Sequence, residues 1–391
     1  MLAWPCGARG LAFVGYLQPQ TYAGEFARHL PVYKVLFAAT AIGILFTRDR
    51  QWPPRDWRVL ALAGLWLFFL LTTKFSWLPF VAWPRFVEVS AVLGSTFLVL
   101  VLINTREKLF VLIAATALAF GLVSFKGGYW AVINGFADRV YGPPGSQYGD
   151  NNHFAVAAVM TIPLLLLWFR QSATLWLKAA LALAIALSVL AALSSWSRGA
   201  LLALGVTSML LLIDSRKGAW ALVPVVAAVA IALVFLPEQW FARMQTIGAY
   251  QGDESAKGRL DVWQQGLGYA MRSPILGSGF EGWMVGVSGR DWHSAYVEIM
   301  AEQGLLTFVL WASLILGTLV GLTRLAWRHR GASESAWVRQ YSSALRASLV
   351  AYCVGGAFIG IAYWDLLYQL IAAAIVLQAL SGRLVAPTLQ P

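Results

Sequence analysis

The chain has 391 residues, 59% of them hydrophobic and only 12% charged, and carries a net charge of +11. So little polar surface cannot cover a water-soluble body, which excludes an ordinary soluble domain and asks for a membrane as solvent. Nucleic-acid binding is not indicated either, because the basic residues are scattered through short loops and form no continuous stripe.

In chain order, the segment before Gln18 reads as a spanning helix interrupted by Pro5, Gly7, Arg9 and Gly10. A complete span there needs more apolar residues than this start of the chain supplies. Apolar runs follow at 32–46, 57–72, 87–103, 109–124, 154–169, 175–193, 201–213, 219–236, 305–322, 347–361 and 366–380. Most approach the ~20 residues that cross the hydrocarbon core of a bilayer. The spacing predicts an all-α polytopic membrane protein, one integral domain over 1–391, with about 12 transmembrane helices. Cys6 and Cys353 lie far apart and suggest no disulfide framework. No cleavable signal peptide is read at the start, so the helices themselves direct insertion.

If the chain threads alternately in and out, the loops at 48–58, 106–108, 170–178, 214–217 and 324–346 share one side with both termini. They carry most of the excess of Lys and Arg, so that side is expected to be cytoplasmic. Two outward segments are long enough to do more than turn the chain, 125–152 and 237–304. In the first, Gly127-Gly128, Gly142-Pro143-Pro144-Gly145 and Asp150-Asn151-Asn152 read as turn residues. In the second, Leu260, Trp263, Leu267 and Ala270 recur at helical spacing, predicting an amphipathic helix over 259–271 that lies along the membrane surface.

Three residues on the outward side stand out. Arg198 ends the short turn Ser194-Ser195-Trp196-Ser197 and opens the next helix, a costly place for a charge unless it is paired or functional. Its plainer reading is an arginine reaching to lipid headgroups. Arg259 sits on the amphipathic helix, where a solvated charge is the ordinary expectation. His293, just before a helix, is expected to be kept neutral by the helix dipole and so able to accept a proton. A hydrogen-bonded loop histidine is the alternative. Glu298 and Glu302 are candidates to orient that helix or pair with an arginine. With only four histidines in the chain, a metal cluster is not expected. Outward arginines beside a neutral histidine suit a site that holds a lipid-linked phosphate or diphosphate and deprotonates a nucleophile.

The run Ser195-Trp196-Ser197-Arg198-Gly199-Ala200, then Gly258-Arg259-Leu260 through Trp263, Gly277-Ser278-Gly279-Phe280, His293-Ser294-Ala295-Tyr296 and Glu302-Gln303-Gly304 resembles the O-antigen ligase and polymerase superfamily. The stretch from Lys126-Gly127-Gly128 through Arg139-Val140-Tyr141-Gly142-Pro143-Pro144-Gly145-Ser146 to Asp150-Asn151-Asn152 resembles more specifically the O-glycosylation ligases of the exosortase A system. The resemblance spans roughly residues 31–321. It implies a fold similar to the lipid-linked C-type glycosyltransferases and glycan transfer from an undecaprenyl-diphosphate carrier to a protein or glycan acceptor. The reaction would run at the periplasmic face of the inner membrane, without metal or cofactor. It also implies that Arg198 and Arg259 neutralise the diphosphate and that His293 is the general base of an inverting reaction. Arg139, Asp150, Asn151, Tyr296 and Glu302 would contact substrate. Ser294 stands where many relatives carry Asn. Three other readings remain open: a polysaccharide polymerase, a transporter of the lipid-linked glycan, and an interaction scaffold.

Overall fold

The computed structural model describes residues 13–15, 17, 19, 30, 32–214, 223–245, 254–331 and 334–385, and its regular structure there is entirely helical. The expected span before Gln18 lies almost wholly outside the described residues, as do both termini, Cys6 and His29. The helices are α1 (Val32–Ile44), α2 (Trp57–Lys74), α3 (Pro79–Leu102), α4 (Arg106–Ile133), α5 (Asn151–Gln171), α6 (Leu175–Ser194) and α7 (Arg198–Asp214). They continue with α8 (Val223–Phe235), α9 (Glu238–Gln245), α10 (Glu254–Arg272), α11 (Ala295–Arg328), α12 (Ala336–Gly355) and α13 (Asp365–Val385).

Seven of these, α2 to α6, α11 and α13, are long and apolar enough to cross a membrane. The number is eight if α8 and α9, bent by 109° at their junction, form one broken span. The chain is thus consistent with a polytopic membrane protein. Its helices start where local chemistry can satisfy their first amides: Asp56 accepts from the Arg58 amide ahead of α2, and Thr105 accepts from that of Lys108 ahead of α4.

At the centre of the bundle is α5, in which every residue from Phe154 to Leu167 is buried. A helix apolar on all sides can be covered by lipid or by other helices, and here α4, α6, α7 and α12 cover it. Small residues set the closest approaches. A Cβ on Gly128 of α4 would lie 2.1 Å from the Leu187 carbonyl oxygen of α6, and one on Gly355 of α12 would lie 2.6 Å from Val156 of α5. This corrects the reading of Gly127-Gly128 as a turn. Both are helical, α4 runs on to Ile133, and the first loop begins there rather than at residue 125. Their missing side chains serve helix contact instead.

Polar contacts between helix ends fall into two groups. At one end Lys108 Nζ lies 2.6 Å from Asp49 Oδ2, Gln171 donates to Gln340 Oε1 at 2.5 Å, Arg383 donates to Gln51 at 3.0 Å, and Arg346 pairs with Asp214. At the other, the Val140 amide donates to the Ser194 carbonyl at 3.0 Å, Trp77 to Ser278 at 3.1 Å and Ala295 to Gly356 at 2.7 Å. These two groups are the two loop sets that charge separated in the sequence.

Candidate active site

The Gly277-Ser278-Gly279 and Glu302-Gln303-Gly304 motifs form one joint. The Ser278 and Gly279 amides donate to the carbonyls of Ala301 and Glu302 at 3.0 and 2.8 Å, and the Leu305 amide donates to Pro274 at 2.7 Å. Gly304 breaks α11 with φ 83° and ψ 166°, a conformation open to glycine but strained for other residues. A Cβ on Gly279 would meet Ser76 Oγ at 2.1 Å, and one on Gly277 the Glu302 carbonyl oxygen at 2.4 Å. The Glu302 side chain, 3% exposed, completes the joint. Its Oε1 accepts from the Glu281 amide and from Trp292 Nε1, both at 3.1 Å, and its Oε2 accepts from the Tyr363 hydroxyl at 2.8 Å.

His293 projects from the loop that this joint steadies. It stands two residues before α11, with φ 50° and 44% of its side chain exposed, and its Nδ1 lies 3.7 Å from Asp291 Oδ2. The preceding carbonyl, of Trp292, accepts from Trp263 Nε1 at 2.9 Å. Gly266 lets the Trp292 ring against α10, because a Cβ there would lie 2.6 Å from it. Arg259 is one turn before Trp263 on the same face of α10, which brings its charge into the field of His293. The imidazole is held below its ordinary range, first by partial burial. Arg259 and His153 add to the shift, while Asp291 and Asp150 oppose it. Desolvation and the Arg259 charge thus act in the direction that the sequence reading assigned to the helix dipole.

Asp150 caps α5, with Oδ1 accepting from the Asn152 amide at 2.8 Å and lying 3.2 Å from His153 Nδ1. Burial works to raise its carboxyl, but the bonds from His153 and Asn152 prevail and hold it well below the usual carboxylate range. His153 Nε2 lies 3.3 Å from the Gly360 carbonyl oxygen. From the other side, Asp291 Oδ1 would lie 2.9 Å from a Cβ on that same Gly360. The segment around Gly360 therefore separates the His153–Asp150 pair from the His293–Asp291 pair. His153 was not among the expected site residues, although its position three residues after a capping aspartate is a signal the sequence contains.

Arg198 is the first residue of α7 and half-buried. The turn before it is tied down on several sides. Asn151 Nδ2 donates to the Ser195 carbonyl at 2.7 Å, Trp240 Nε1 to that of Leu193 at 2.9 Å, and Arg243 Nε to that of Trp196 at 3.0 Å. Arg139 lies over the Trp196 ring at 5.7 Å and rims a cleft of about 260 Å³ with Lys126, Trp130 and Tyr141. The structure thus gathers Arg139, Asp150, Arg198, Arg259 and His293 at one end of the bundle, together with His153 and Arg243. The other expected contacts are engaged within the protein. Asn151 is buried under the Ser195 turn, the Tyr296 hydroxyl donates to the Cys353 carbonyl at 2.8 Å, and Glu302 is enclosed by its three donors. Glu298, too, accepts from the Ala362 amide at 2.9 Å. Among the described residues no three His, Cys, Asp or Glu side chains gather as a metal-holding group.

Residues 7–174 match a family model described only as a family of unknown function (DUF5935). No curated protein matches the chain. Residues 183–312, which carry Arg198, Arg259, His293 and most of the Glu302 joint, match the family model described as O-antigen ligase, and that match supports a likeness of this segment to the O-antigen ligase superfamily of glycan-transferring enzymes.

Proposed function

We propose that this protein transfers a glycan from an undecaprenyl-diphosphate donor to an acceptor hydroxyl at the periplasmic face of the inner membrane, without metal and with inversion at the anomeric carbon. The observation that carries this reading is a part-exposed histidine whose imidazole is held below its ordinary range, first by partial burial and also by Arg259, on the same end of the bundle as the Arg198 turn. His293 takes the proton of the acceptor hydroxyl as the glycosyl bond forms. Arg198 and Arg259 balance the charge that builds on the departing diphosphate, which a guanidinium does without losing its own charge. Arg139 and Lys126, at the cleft beside Trp196, suit the remaining phosphate or sugar contacts.

The topology in this reading has about twelve spans, with α1, α7, α8 and α12 crossing beside the seven helices that are long and apolar enough and one more span before them. Both termini are cytoplasmic, and the 237–304 segment is the large periplasmic loop, an orientation supported by the basic excess on the other loop set. Resemblance of the 126–152 segment to exosortase A-associated O-glycosylation ligases favours a protein hydroxyl as acceptor.

The test is complementation of a strain lacking the protein with wild type, His293→Ala, Arg198→Ala and Arg259→Ala at matched membrane levels. Acceptor mobility and lipid-linked glycan are scored together. Loss of transfer with loaded carrier building up on the outer side is expected. Transfer that persists in all three variants overturns the assignment, and carrier trapped facing the cytoplasm makes the protein a transporter. A glycan acceptor in place of a protein makes it a polymerase.

A further inference from the structure

A cavity of about 860 Å³ lies not at the candidate active site but at the opposite end of the bundle, between α2, α11 and α13. Its floor exists because α11 presents Gly317 and Gly321 one turn apart. A Cβ on the first would lie 2.4 Å from the Trp57 ring and one on the second 2.2 Å from Gln378 Nε2. Arg324 and Arg328 continue the same face of α11 into the cavity, both exposed. Neither makes an ion pair with a described residue. Arg58, 2% exposed, also lines it, but its charge is already matched: Nε donates to Asp56 Oδ1 at 2.9 Å, and Gln378 accepts from Nη2. Asp56 is the one acid in the wall, so the cavity keeps two uncompensated arginines. An adjoining cleft of about 330 Å³ shares Asp56 and Gln378 and adds Arg55 and Arg383.

The cavity opens toward the apolar flank of the bundle. Val320 forms part of its rim and is 47% exposed, and Leu316 and Val309 extend an exposed apolar stripe from it along α11. Trp57, 51% exposed, lines the cavity and Trp327, 62% exposed, stands next to Arg328 on α11, and amphipathic rings of this kind mark a membrane–water boundary. A basic pocket among helices at this level is matched to an anionic headgroup, and the stripe beneath it to acyl chains. A free anion would use the arginines alone, whereas a lipid joins both surfaces in one ligand at the place where the arginines meet the acyl-chain face of α11.

We propose that this cavity binds the phosphate headgroup of an anionic phospholipid, with Arg324 and Arg328 on the phosphate and the acyl chains lying along Val320, Leu316 and Val309. The lipid anchors α11 at the end opposite the candidate active site, on the face assigned as cytoplasmic.

The test uses the full chain purified in detergent, with lipid retention read by native mass spectrometry. Phosphatidylglycerol is expected to be retained over phosphatidylcholine by about tenfold, since each arginine near a phosphate contributes on the order of a fewfold. Arg324→Gln with Arg328→Gln is expected to abolish that preference without changing the melting temperature. Gly382→Glu, whose added Cβ meets nothing within 4 Å, places an acid in the same cavity and is expected to weaken retention independently. Arg330→Gln, at a side chain that stacks on Trp327 at 4.5 Å and lies outside the cavity, is expected to behave as wild type. Equal retention of the two lipids overturns the proposal, as does a preference that survives both cavity variants. Glycerol 1-phosphate protecting against heat as well as the lipid does at equal concentration makes the ligand a soluble anion and overturns the lipid assignment.

Discussion

Glu302 separates two roles that its motif allows, contact with substrate and support of the His293 loop. Its three acceptor bonds involve the Glu281 amide, Trp292 Nε1 and the Tyr363 hydroxyl, in a site 3% exposed. Glu302→Ala leaves three buried donors unpaired, each worth roughly 1–3 kcal/mol, so a destabilisation on the order of 3–6 kcal/mol is expected with some relief from entering water. Glu302→Gln is different. Its carbonyl oxygen can keep both N–H donors, and its amide can donate to Tyr363, whose hydroxyl oxygen has two lone pairs and already accepts from Gln303 at 3.2 Å. Only the tyrosine proton loses its acceptor, a cost of about 1 kcal/mol. The assay is glycan transfer by purified protein from a lipid-linked donor, run beside a thermal melt followed by tryptophan fluorescence. Glu302→Gln is expected to keep transfer within a fewfold of wild type, while Glu302→Ala melts early and loses kcat. A Glu302→Gln protein that melts normally yet transfers nothing refutes the reasoning, because the carboxylate charge would then act on the reacting groups.

A general base must be deprotonated to work, and His293 lies below the ordinary histidine range, so kcat/KM should rise with pH along an acid limb whose midpoint is below 6.5. Asp291→Asn removes a carboxylate that raises the midpoint and should move it further down, and Arg259→Gln should move it up. A midpoint above 6.5, or one indifferent to Asp291, rules this base out. Asn151→Ala removes the bond that ties α5 to the Ser195 turn and orphans a buried carbonyl at about 1–3 kcal/mol. Donor KM should rise more than kcat falls, and an unchanged KM means that the turn does not position Arg198. Gly279→Ala drives a Cβ into Ser76 at a φ of +80°, combining overpacking of about 1–3 kcal/mol with left-handed strain of about 1–2 kcal/mol. Ser76→Gly in the same chain should recover the steric part and leave the strain, as measured by melting temperature. Full recovery, or none, contradicts that division.

The apolar runs located the helices because a bilayer leaves few other ways to satisfy a backbone, and loop charge sorted their ends into the two sets that the contacts reproduce. The helix that carries Arg259 and Trp263 was legible from the recurrence of Leu260, Trp263, Leu267 and Ala270. Glycine was less transparent. Gly127-Gly128 reads as a turn and proves to be a helix contact, while Gly277 and Gly279 do adopt positive φ, at 62° and 80°. Both uses demand a missing Cβ, so the residue type alone does not separate them. His153 was missed for a related reason: its meaning depends on the Gly360 carbonyl, 207 positions away in the chain.

Hydrogen-bond capacity divides the candidates more sharply than their place in a motif. Glu302 and Asn151 are 3% and 5% exposed, the first around three donors and the second tied to the Ser195 carbonyl, so neither reaches a substrate without movement of the framework it holds. Tyr296 donates its proton to the Cys353 carbonyl in the last turn of α12, where helix carbonyls lack an internal donor, yet its oxygen can still accept. His293, by contrast, has 44% of its side chain open and a carboxylate 3.7 Å away. The proposed transfer reaction needs this division: a few groups must stay available to a large substrate, and their positions can be kept only if the surrounding polar groups are closed off from it. The motif residues that look most chemical in sequence are therefore partly framework. In the proposed reaction the chemistry falls to the smaller set that the framework leaves at least partly open, His293 with the half-buried Arg259 and Arg198.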